Sequence, residues 1–427
     1  MTNEERIKAR IDRDKEKRAA KKREFLEPYD DFDKVISYQN YYDALTKCQK
    51  GVMWKGTVQK YSQNCIMKID NTIESIKNGV LPDLQNTKKI VIMERGKERI
   101  ITPIKIEDRM TQRVVCDNAL VPVISRTLIY DNGASMKDKG VNFAREEIMK
   151  HLVEARREYG NEFYILTFDF KSFFDSITHK SCLDVLNKHF TDSRLIQLCM
   201  DIIHSYQEQD LHYMPKSEDR KIAIDKIRDN QGVGICLGSQ ISQVMALAVP
   251  SGIDHYIKDT MSVRHYIRYM DDGIIMSNDK EFLHSLYAEM KVLASELGLR
   301  FNDKKTHIVK STKGFVFLKI RYFISKEGRI IKKLTRAGVT RQRRKLYKFR
   351  KKVDNGEMSL DDVYNSMQSW LSHAKYVNAF HTVKSMMKLY NKLFDGYRMP
   401  SKNTKKEDKS NEVLRDDKWS DFRWDRN

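Results

Sequence analysis

The sequence has 427 residues, enough for two or three subdomains with cores of their own, so its stability does not depend on disulfides. Lysine and arginine exceed aspartate and glutamate by 20, which indicates a polyanionic partner, nucleic acid rather than a membrane surface. A basic protein without such a partner is the alternative. The six cysteines form no C-x-x-C pair, which argues against a zinc module. Because there is no signal peptide and no run of about 18 apolar residues, we expect a soluble, cytoplasmic protein without membrane contact.

The first part of the chain has a mainly helical pattern. Residues 3–25 alternate charges with few apolar positions, which predicts an exposed helix that either lies on nucleic acid or is partly disordered. Apolar and aromatic residues recur at helical spacing over 38–77. The segment 88–105 instead predicts two strands joined by a tight turn. Helices resume after Asp108, and a basic, glycine-containing loop begins at residue 130.

Strands and helices alternate in the rest of the chain. The predicted elements are a strand at 162–170, helices at 178–206, a polar connection at 207–233, a buried helix at 239–257, a helix at 280–297, strands near 305–331, helices over 334–395 and a polar tail after Pro400. Between the buried helix and the helix at 280–297, two strand-like runs flank Asp271 and Asp272. The Asp272–Gly273 pair predicts the hairpin turn between those runs.

One helix within 334–395 carries both a basic and an apolar stripe. Its basic residues are spaced 4, 3 and 4 positions apart and share one face: Arg341, Lys345, Lys348 and Lys352. Leu346, Phe349 and Val353 occupy another face. This pattern suits a helix that lies along a phosphate backbone, with an ordinary solvated face as the alternative.

Three aspartates on two distant strands form a candidate metal site. Asp169 ends an apolar strand, where a carboxylate needs a partner such as a bound cation; capping of the next helix is the alternative. Asp271 and Asp272 taken alone predict only a turn. If the two strands are neighbours in one antiparallel sheet, the three carboxylates meet. A two-metal phosphoryl-transfer site, with magnesium ions about 3.5–4 Å apart, requires that arrangement.

The order of motifs over about residues 88–380 resembles that of bacterial reverse transcriptases, the lineage that includes group II intron, retron, diversity-generating and phage-defence enzymes. The matching segments are "ERIITPIKIEDRMTQRVV" (98–115) for the fingers motif, "FDFKSFFDSI" (168–177) for the first palm motif, "GICLGSQISQ" (234–243) for the glycine-rich palm motif, "YMDD" (269–272) for the catalytic hairpin, and "LGLRFNDKKT" (297–306) and "GFVFLKIRY" (314–322) for the two that follow. The resemblance implies an α+β right-hand polymerase with fingers, a palm built on a small antiparallel sheet with helices, and a helical thumb.

The resemblance also implies a division of the chain into domains. These are a basic N-terminal extension (1–30), fingers (31–160), a palm (161–317) with a helical insertion at about 178–233, a thumb (318–398) and a flexible charged tail (399–427). Only about 30 residues follow the thumb, too few for a ribonuclease H or endonuclease domain. Strand removal and DNA cleavage are therefore expected to come from elsewhere.

Roles for individual residues follow from the resemblance. Asp169 and Asp271 would bridge both metal ions, Asp272 would be the weaker ligand, and Phe170 belongs to the same metal site. Phe174 would be the steric gate that excludes a 2′-hydroxyl, with core packing as the alternative. Lys305, the fourth catalytic residue, would lie near the leaving pyrophosphate. The other nucleotide-binding positions are Arg99, Lys137, Lys139, Ser172, Phe173, Gly238 and Ser239. For Lys137 and Lys139 the alternative is ordinary loop charges, and for Arg99 a surface ion pair.

The implied function is RNA-directed DNA synthesis at a primer 3′ end, with two Mg²⁺ ions, or Mn²⁺ in their place. Gly234–Gly238 lacks the proline and glutamine that many relatives have there, which predicts low fidelity. We expect a role in anti-phage defence or another domesticated bacterial retroelement system. The expected partners are an RNA template, a primer or cDNA, a structured non-coding RNA, and an accessory protein or second copy. An RNA-dependent RNA polymerase and an RNA-binding protein on an inactive polymerase scaffold are the alternatives.

Overall fold

The computed structural model describes residues 3–81, 90–94, 97–101, 103–205 and 232–398. The predicted charged tail at 399–427, and most of the predicted polar connection at 207–233, lie outside these ranges. The chain divides into two compact units. The first comprises Met1–Ile148, Thr167–Ile275 and Glu281–His307, and the second Met149–Leu166, Met276–Lys280 and Ile308–Asn427. The domain boundaries expected from the sequence stay predictions.

Helices dominate the described residues before position 160, as the periodicity predicts. They are α1 (Asn3–Leu26), α2 (Phe32–Val35), α3 (Tyr38–Gln49), α4 (Gly56–Gln63), α5 (Cys65–Lys77), α6 (Ile106–Val115), a π-helical turn (Cys116–Leu120), α7 (Val121–Ile124), a 3₁₀ turn (Ser125–Thr127) and α8 (Val141–Tyr159). The side chains of α1 are exposed along almost its whole length. Helices α3 and α6 pack together, and the buried Tyr41 hydroxyl donates to Thr111 Oγ1 over 3.1 Å.

The strands β1 (Ile90–Glu94) and β2 (Lys97–Ile101) form an antiparallel hairpin in which Ile92 pairs with Arg99. This confirms the hairpin expected over 88–105. The side chains of these strands, that of Arg99 among them, lie outside the described part of the structure.

A four-stranded sheet carries the predicted aspartates. Its strands, in spatial order, are β4 (Tyr266–Tyr269), β5 (Asp272–Ser277), β3 (Tyr164–Asp169) and β6 (His307–Lys310). In the two central strands, β5 and β3, most positions are buried. Because β3 and β5 are neighbours, the ends that bear Asp169 and Asp272 belong to one sheet, as the sequence argument required.

The turn of the β4–β5 hairpin differs from the one that the sequence predicted. Tyr269 pairs with Asp272, so the two turn residues are Met270 and Asp271. Met270 has a φ of 55°, and a positive φ at the first turn position is the mark of a type II′ hairpin. The expected Asp272–Gly273 turn is therefore wrong, since both residues lie in β5.

The first unit also contains the following helices, in chain order. They are α9 (Phe173–Ser176), α10 (His179–His189), α11 (Ser193–Ser205), α12 (Gln240–Ala248), α13 (Ser251–His255), a π-helical turn (Tyr256–Thr260) and α14 (Lys280–Glu296), whose first residue belongs to the second unit. A single buried helix was expected over 239–257. The chain instead breaks at Pro250, which cannot donate a backbone hydrogen bond and so interrupts the helical pattern.

The second unit contains an antiparallel three-stranded sheet and three long helices. They are β7 (Phe315–Phe317), β8 (Ile320–Ile324), β9 (Ile330–Leu334), α15 (Arg336–Asp354), α16 (Leu360–Ala374) and α17 (Phe380–Phe394). The helices bury Leu346, Met367 and Met386 against one another, and a capping box between Ser359 and Asp362 begins α16. Together the two units confirm the predicted α+β class. Among the described helices, none is both long and apolar enough to cross a membrane.

Candidate active site

Asp169 stands at the end of β3, and its buried side chain is held from one side. Only 4% of Asp169 is exposed. The Asn302 side-chain amide donates to Asp169 Oδ1 over 3.2 Å, and the Asn302 backbone N–H donates to the Asp169 carbonyl over 2.7 Å. Lys305 Nζ lies 2.5 Å from Asp169 Oδ2. The carboxylate therefore has both an amide and a cation beside it.

A tight turn places Asn302 and Lys305 against Asp169. The backbone N–H groups of Lys305 and Thr306 both donate to the Asn302 carbonyl, over 2.9 and 3.0 Å. The Thr306 hydroxyl donates to the same carbonyl. These bonds fix the lysine on the side of the turn that faces β3. Burial lowers the pKa of Lys305, but the hydrogen bond and charge of Asp169 outweigh it and raise that pKa.

Asp271 and Asp272, from the β4–β5 hairpin, lie beside the end of β3 that bears Asp169. The backbone N–H of Phe170, the residue after Asp169, donates to the Asp271 carbonyl over 3.1 Å. Burial, the charges of Asp271 and Asp169 and a hydrogen bond with Asp169 together raise the pKa of the Asp272 carboxyl to about 7, and the charge of Lys305 opposes them. The charges of Asp271 and Asp169 thus lie close enough to Asp272 to disfavour its ionisation.

This cluster fits a divalent metal ion. Asp169, Asp271 and Asp272 at one sheet edge offer oxygen donors, the type that Mg²⁺ prefers. The raised pKa of Asp272 comes first from burial and then from the charges of Asp271 and Asp169, and a bound cation would offset both. The structure therefore brings together Asp169, Phe170, Asp271, Asp272 and Lys305, five of the residues singled out from the sequence.

A layer of aromatic rings supports the end of β3. Phe170 stacks between Phe301, at 4.7 Å between centroids, and Phe173, at 5.2 Å. Phe168 packs edge-on against Phe301 at 5.3 Å. Gly273 faces this layer, because a Cβ atom built there would lie 2.1 Å from Cζ of Phe168. The glycine after the two aspartates is thus required by packing, since it gives the Phe168 ring its place against β5.

The predicted sugar gate lies on the short helix that follows β3. Phe174 is half-buried in α9, and its ring meets Phe173 edge-on at 5.8 Å. Ser172 precedes α9 with a φ of 48°, a left-handed conformation that turns the chain sharply between Asp169 and Phe174. Phe173 is only 5% exposed, so its ring belongs to the core of this layer.

The glycine-rich loop leads into α12 and is hydrogen-bonded to Gln112 of α6. Gly238 is exposed with a φ of 114°, which favours glycine. Ser239, 1% exposed, caps α12 by accepting from the Ser242 N–H and donates its hydroxyl to Gln112 Oε1 over 3.0 Å. The Gln240 N–H donates to the same oxygen. The Ser239 side chain is thus committed to holding the loop on α6.

The two loop lysines have different surroundings. Lys137 is exposed. Lys139 donates to the Tyr130 carbonyl over 2.6 Å and lies over the Tyr130 and Phe143 rings. Burial lowers the pKa of Lys139, opposed by the charges of Asp131 and Glu147. Lys139 therefore stabilises its own loop.

A polar cleft of about 310 Å³ opens beside the glycine-rich loop. Its basic and amide side chains come from α3 and the residue after it, from α6 and from α12: Lys47, Lys50, Arg109, Gln112, Arg113, Gln240 and Gln243. Asp117 pairs with Lys47 at 2.7 Å and with Arg113 at 2.8 Å. The sequence argument did not identify this cleft, because its cations come from two helices far apart in the chain.

The basic stripe of the second unit lies on α15 as expected. Arg341, Lys345, Lys348 and Lys352 are exposed, while Leu346 is fully buried. Lys345 donates to Ser366 Oγ over 2.8 Å, and Lys352 lies 3.8 Å from Glu357. The orientation of the stripe is confirmed, whereas its role stays a prediction.

The site contains residues that the sequence argument missed. Asn302 lies in the segment already matched to a palm motif, three positions before Lys305, and its spacing to Lys305 was the available signal. Arg268, two positions before Met270, is 1% exposed. A buried arginine next to the two aspartates gives no sequence signal of its own, because its partners come from other elements.

Comparison with known proteins identifies the family. The family model described as "Reverse transcriptase (RNA-dependent DNA polymerase)" matches residues 85–322, more than half of the chain. The chain therefore belongs to the reverse transcriptase family, and the prediction of a nucleotidyltransferase of this type is confirmed at the level of the family. No curated protein matches the chain significantly.

Among solved structures, the chain is similar to yeast telomerases. An apo telomerase from Candida tropicalis, truncated from its C-terminal domain, has 13% identity and a TM-score of 0.41, over 60% of this chain and 56% of that one. Telomerase from Candida albicans in complex with a TWJ fragment of telomeric RNA has 14% identity and a TM-score of 0.39, over 72% and 56%. The corresponding complex from Candida tropicalis has 12% identity and a TM-score of 0.40, over 77% and 57%. The chain thus spans little more than half the length of these telomerases.

Proposed function

We propose that this chain copies RNA into DNA by adding deoxynucleotides to a primer 3′ end. The observation that carries the proposal is the meeting of three carboxylates, with the pKa of Asp272 raised to about 7 by burial and by Asp271 and Asp169. Such a cluster at the end of a sheet, in a chain of the reverse transcriptase family, supports a site for two divalent ions. Mg²⁺ is the proposed ion, with Mn²⁺ as a substitute.

The chain's own residues take defined parts in this reaction. Asp169 and Asp271 would be the main ligands of the ions and Asp272 the weaker one; bound there, the ions would supply activation of the primer 3′ oxygen and charge stabilisation for the pyrophosphate. The Phe170 backbone fixes the spacing between Asp169 and Asp271 through its 3.1 Å hydrogen bond. Lys305, with its raised pKa, is a protonated donor for the pyrophosphate.

Substrate selection is assigned to the elements after β3. Phe174 would contact the sugar and leave no room for a 2′-hydroxyl, because its ring is held edge-on by Phe173. Gly238 allows the backbone to approach the base pair. The other proposed nucleotide contacts are Arg99, Lys137, Lys139, Ser172, Phe173 and Ser239. For Ser239 and Lys139, whose polar groups are already bonded within the protein, the contact would have to come from the backbone or after rearrangement.

Two basic surfaces support binding of an RNA template and a primer. The cleft beside Gly238 presents cations and amides next to the glycine-rich loop. The exposed stripe of α15 presents a second line of positive charge. The net charge of +20 agrees with a polyanionic partner.

The biological setting is proposed from the motifs alone. We propose a bacterial origin, in an anti-phage defence or other domesticated retroelement system, with a structured non-coding RNA and an accessory protein or second copy as partners. The division into extension, fingers, palm, thumb and tail belongs to this proposal.

Extension of a DNA primer on an RNA template with Mg²⁺ tests the proposal. Wild-type protein is expected to incorporate dNTPs, and Asp271→Ala combined with Asp272→Ala to abolish incorporation. Two exposed aspartates of α1, changed by Asp12→Ala and Asp14→Ala, provide the control. Activity that survives the first double change would refute the catalytic assignment. Incorporation of NTPs in place of dNTPs would favour an RNA-dependent RNA polymerase, and binding of RNA without any synthesis would favour an inactive scaffold.

A further inference from the structure

The guanidinium of Arg268 binds two helices, α12 and α13, and the turn of the β4–β5 hairpin. Its Nε and Nη2 atoms donate to the two carboxylate oxygens of Asp254, over 2.8 and 2.6 Å. Nη2 also donates to the Leu247 carbonyl over 2.9 Å, and Nη1 donates to the Met270 carbonyl over 3.0 Å. The side chain is 1% exposed, so these bonds form in a region shielded from water.

The hydrogen bond from Nη1 is made to Met270, the hairpin residue with a strained backbone. Met270 adopts a φ of 55°, in the left-handed region that residues other than glycine seldom occupy. A backbone in this conformation persists only where the surroundings hold it. Nη1 of Arg268 binds the carbonyl that directly precedes Asp271, and so holds the turn at its strained point.

The Nε and Nη2 atoms of the guanidinium bind the buried carboxylate of Asp254. Asp254, on α13, is fully buried, and it also accepts a 2.6 Å hydrogen bond from the Tyr266 hydroxyl. A bidentate arginine–carboxylate pair has a fixed geometry. The Leu247 carbonyl lies in the last turn of α12, where helix carbonyls lack partners within the helix. The guanidinium therefore connects the hairpin to both α12 and α13.

The backbone of the same residue binds the basic loop before α8. The Arg268 N–H donates to the Asp131 carbonyl over 3.2 Å, and the Gly133 N–H donates to the Arg268 carbonyl over 2.9 Å. Lys137 belongs to this loop. One residue thus contacts the catalytic turn, the helix that begins at the glycine-rich loop, and the loop proposed to face the triphosphate.

We propose that Arg268, anchored by Asp254, is a positioning residue that fixes the Met270–Asp271 turn so that Asp271 and Asp272 meet Asp169. This inference rests on the proposed metal site. Arg268 itself touches neither substrate nor metal in this assignment. Its effect is carried by the Met270 carbonyl.

Lysine cannot replace arginine in this role. A lysine at position 268 could pair with Asp254, but a single ammonium on a flexible stem cannot also reach the Leu247 and Met270 carbonyls in a fixed geometry. We therefore expect Arg268→Lys to lower kcat for primer extension by about tenfold or more, with little change in KM for dNTP. We also expect Mn²⁺ binding to the protein alone, followed by electron paramagnetic resonance, to weaken about tenfold.

Tyr266→Phe is the matched control. It removes one hydrogen bond to Asp254 and leaves every bond of the guanidinium in place. It is expected to lower the melting temperature while kcat and Mn²⁺ affinity stay within about twofold of wild type. Amide hydrogen exchange of residues 268–272 is expected to accelerate in Arg268→Lys and to stay unchanged in Tyr266→Phe.

A double variant separates positioning from general stability. Buried ion pairs replaced by apolar residues of similar size often leave stability unchanged. Arg268→Met with Asp254→Leu should therefore fold, yet lose the bond to the Met270 carbonyl and show the same losses of kcat and Mn²⁺ affinity. If either this double variant or Arg268→Lys is folded, binds Mn²⁺ and polymerises like wild type, the inference is wrong. If Asp271→Ala also retains activity, the proposed metal site itself fails; if it does not, only the role of Arg268 fails.

Discussion

Lys305 Nζ lies 2.5 Å from Asp169 Oδ2, so a cation of the protein already neutralises one carboxylate of the candidate metal site. The turn that begins at Asn302 delivers this ammonium to the end of β3. In the reaction proposed above, the same ammonium would act on the leaving pyrophosphate.

Lys305→Met is expected to lower kcat by about 100-fold, the low end for loss of a general acid. The KM for dNTP should change much less, because the lysine acts on the leaving group. Single-turnover primer extension measures both. Lys304→Met, which removes an exposed neighbouring charge, is the control and should retain activity. Equal rates in the two variants would exclude a role of Lys305 in chemistry.

Phe174→Ala is expected to raise the ratio of ribonucleotide to deoxynucleotide incorporation by at least about tenfold, since removal of the ring opens space for a 2′-hydroxyl. Competition between ATP and dATP on the same template measures this ratio. Phe282→Ala, which truncates another half-buried phenylalanine, on α14, controls for the loss of packing. A ratio that moves equally in both variants would show that Phe174 is only part of the core.

Gly273→Ala is expected to destabilise the protein by about 1–3 kcal/mol and to abolish most primer extension. The added Cβ would lie 2.1 Å from Cζ of Phe168, so the ring or the strand that begins with Asp272 must shift. Thermal melting and primer extension report the two effects. Gly252→Ala is the control, because a Cβ there meets nothing within 4 Å and the residue is helical. A wild-type melting temperature for Gly273→Ala would contradict the packing argument.

The pH dependence of stability follows from Asp272. Its pKa is raised from 3.8 to about 7 by burial and by neighbouring carboxylates, so between these values the folded state binds more protons than the unfolded state. Stability of the metal-free protein should therefore fall as the pH rises through this range. Mg²⁺ should raise the melting temperature more at pH 8 than at pH 6, because the ionised carboxylates bind it better.

Asp272→Asn tests the assignment, since asparagine does not titrate and keeps the shape of the side chain. The difference in melting temperature between pH 6 and pH 8, measured in EDTA, should be smaller in this variant than in wild type. An unchanged difference would mean that other groups control this pH dependence.

Elements that depend on the pattern of neighbouring residues could be predicted from the sequence. The strand expected at 162–170 is β3, and the hairpin expected over 88–105 is present. The meeting of Asp169 with Asp271 and Asp272 could also be predicted, because a carboxylate at the end of an apolar strand needs a partner and both strands carry one.

The wrong turn prediction and the failure to identify Arg268 from the sequence have a common physical cause. Asp272–Gly273 has the composition of a turn, yet Gly273 is a strand residue whose missing side chain makes room for Phe168, 105 positions earlier. The role of Arg268 likewise depends on Asp254 and Leu247, which come from helices. Residues whose function is to satisfy a distant partner cannot be assigned from neighbours in the sequence.

The contact between residues 131–133 and β4 has a consequence for solubility. β4 is the outer strand of the four-stranded sheet, and an outer strand offers unpaired N–H and carbonyl groups to any other extended chain. The backbone of Asp131 and Gly133 occupies those groups at Arg268. The loop thus covers the outer edge of β4 at Arg268 against pairing with another chain, and Gly133, whose Cβ would lie 2.9 Å from that of Ala144, is what lets it lie so close to α8.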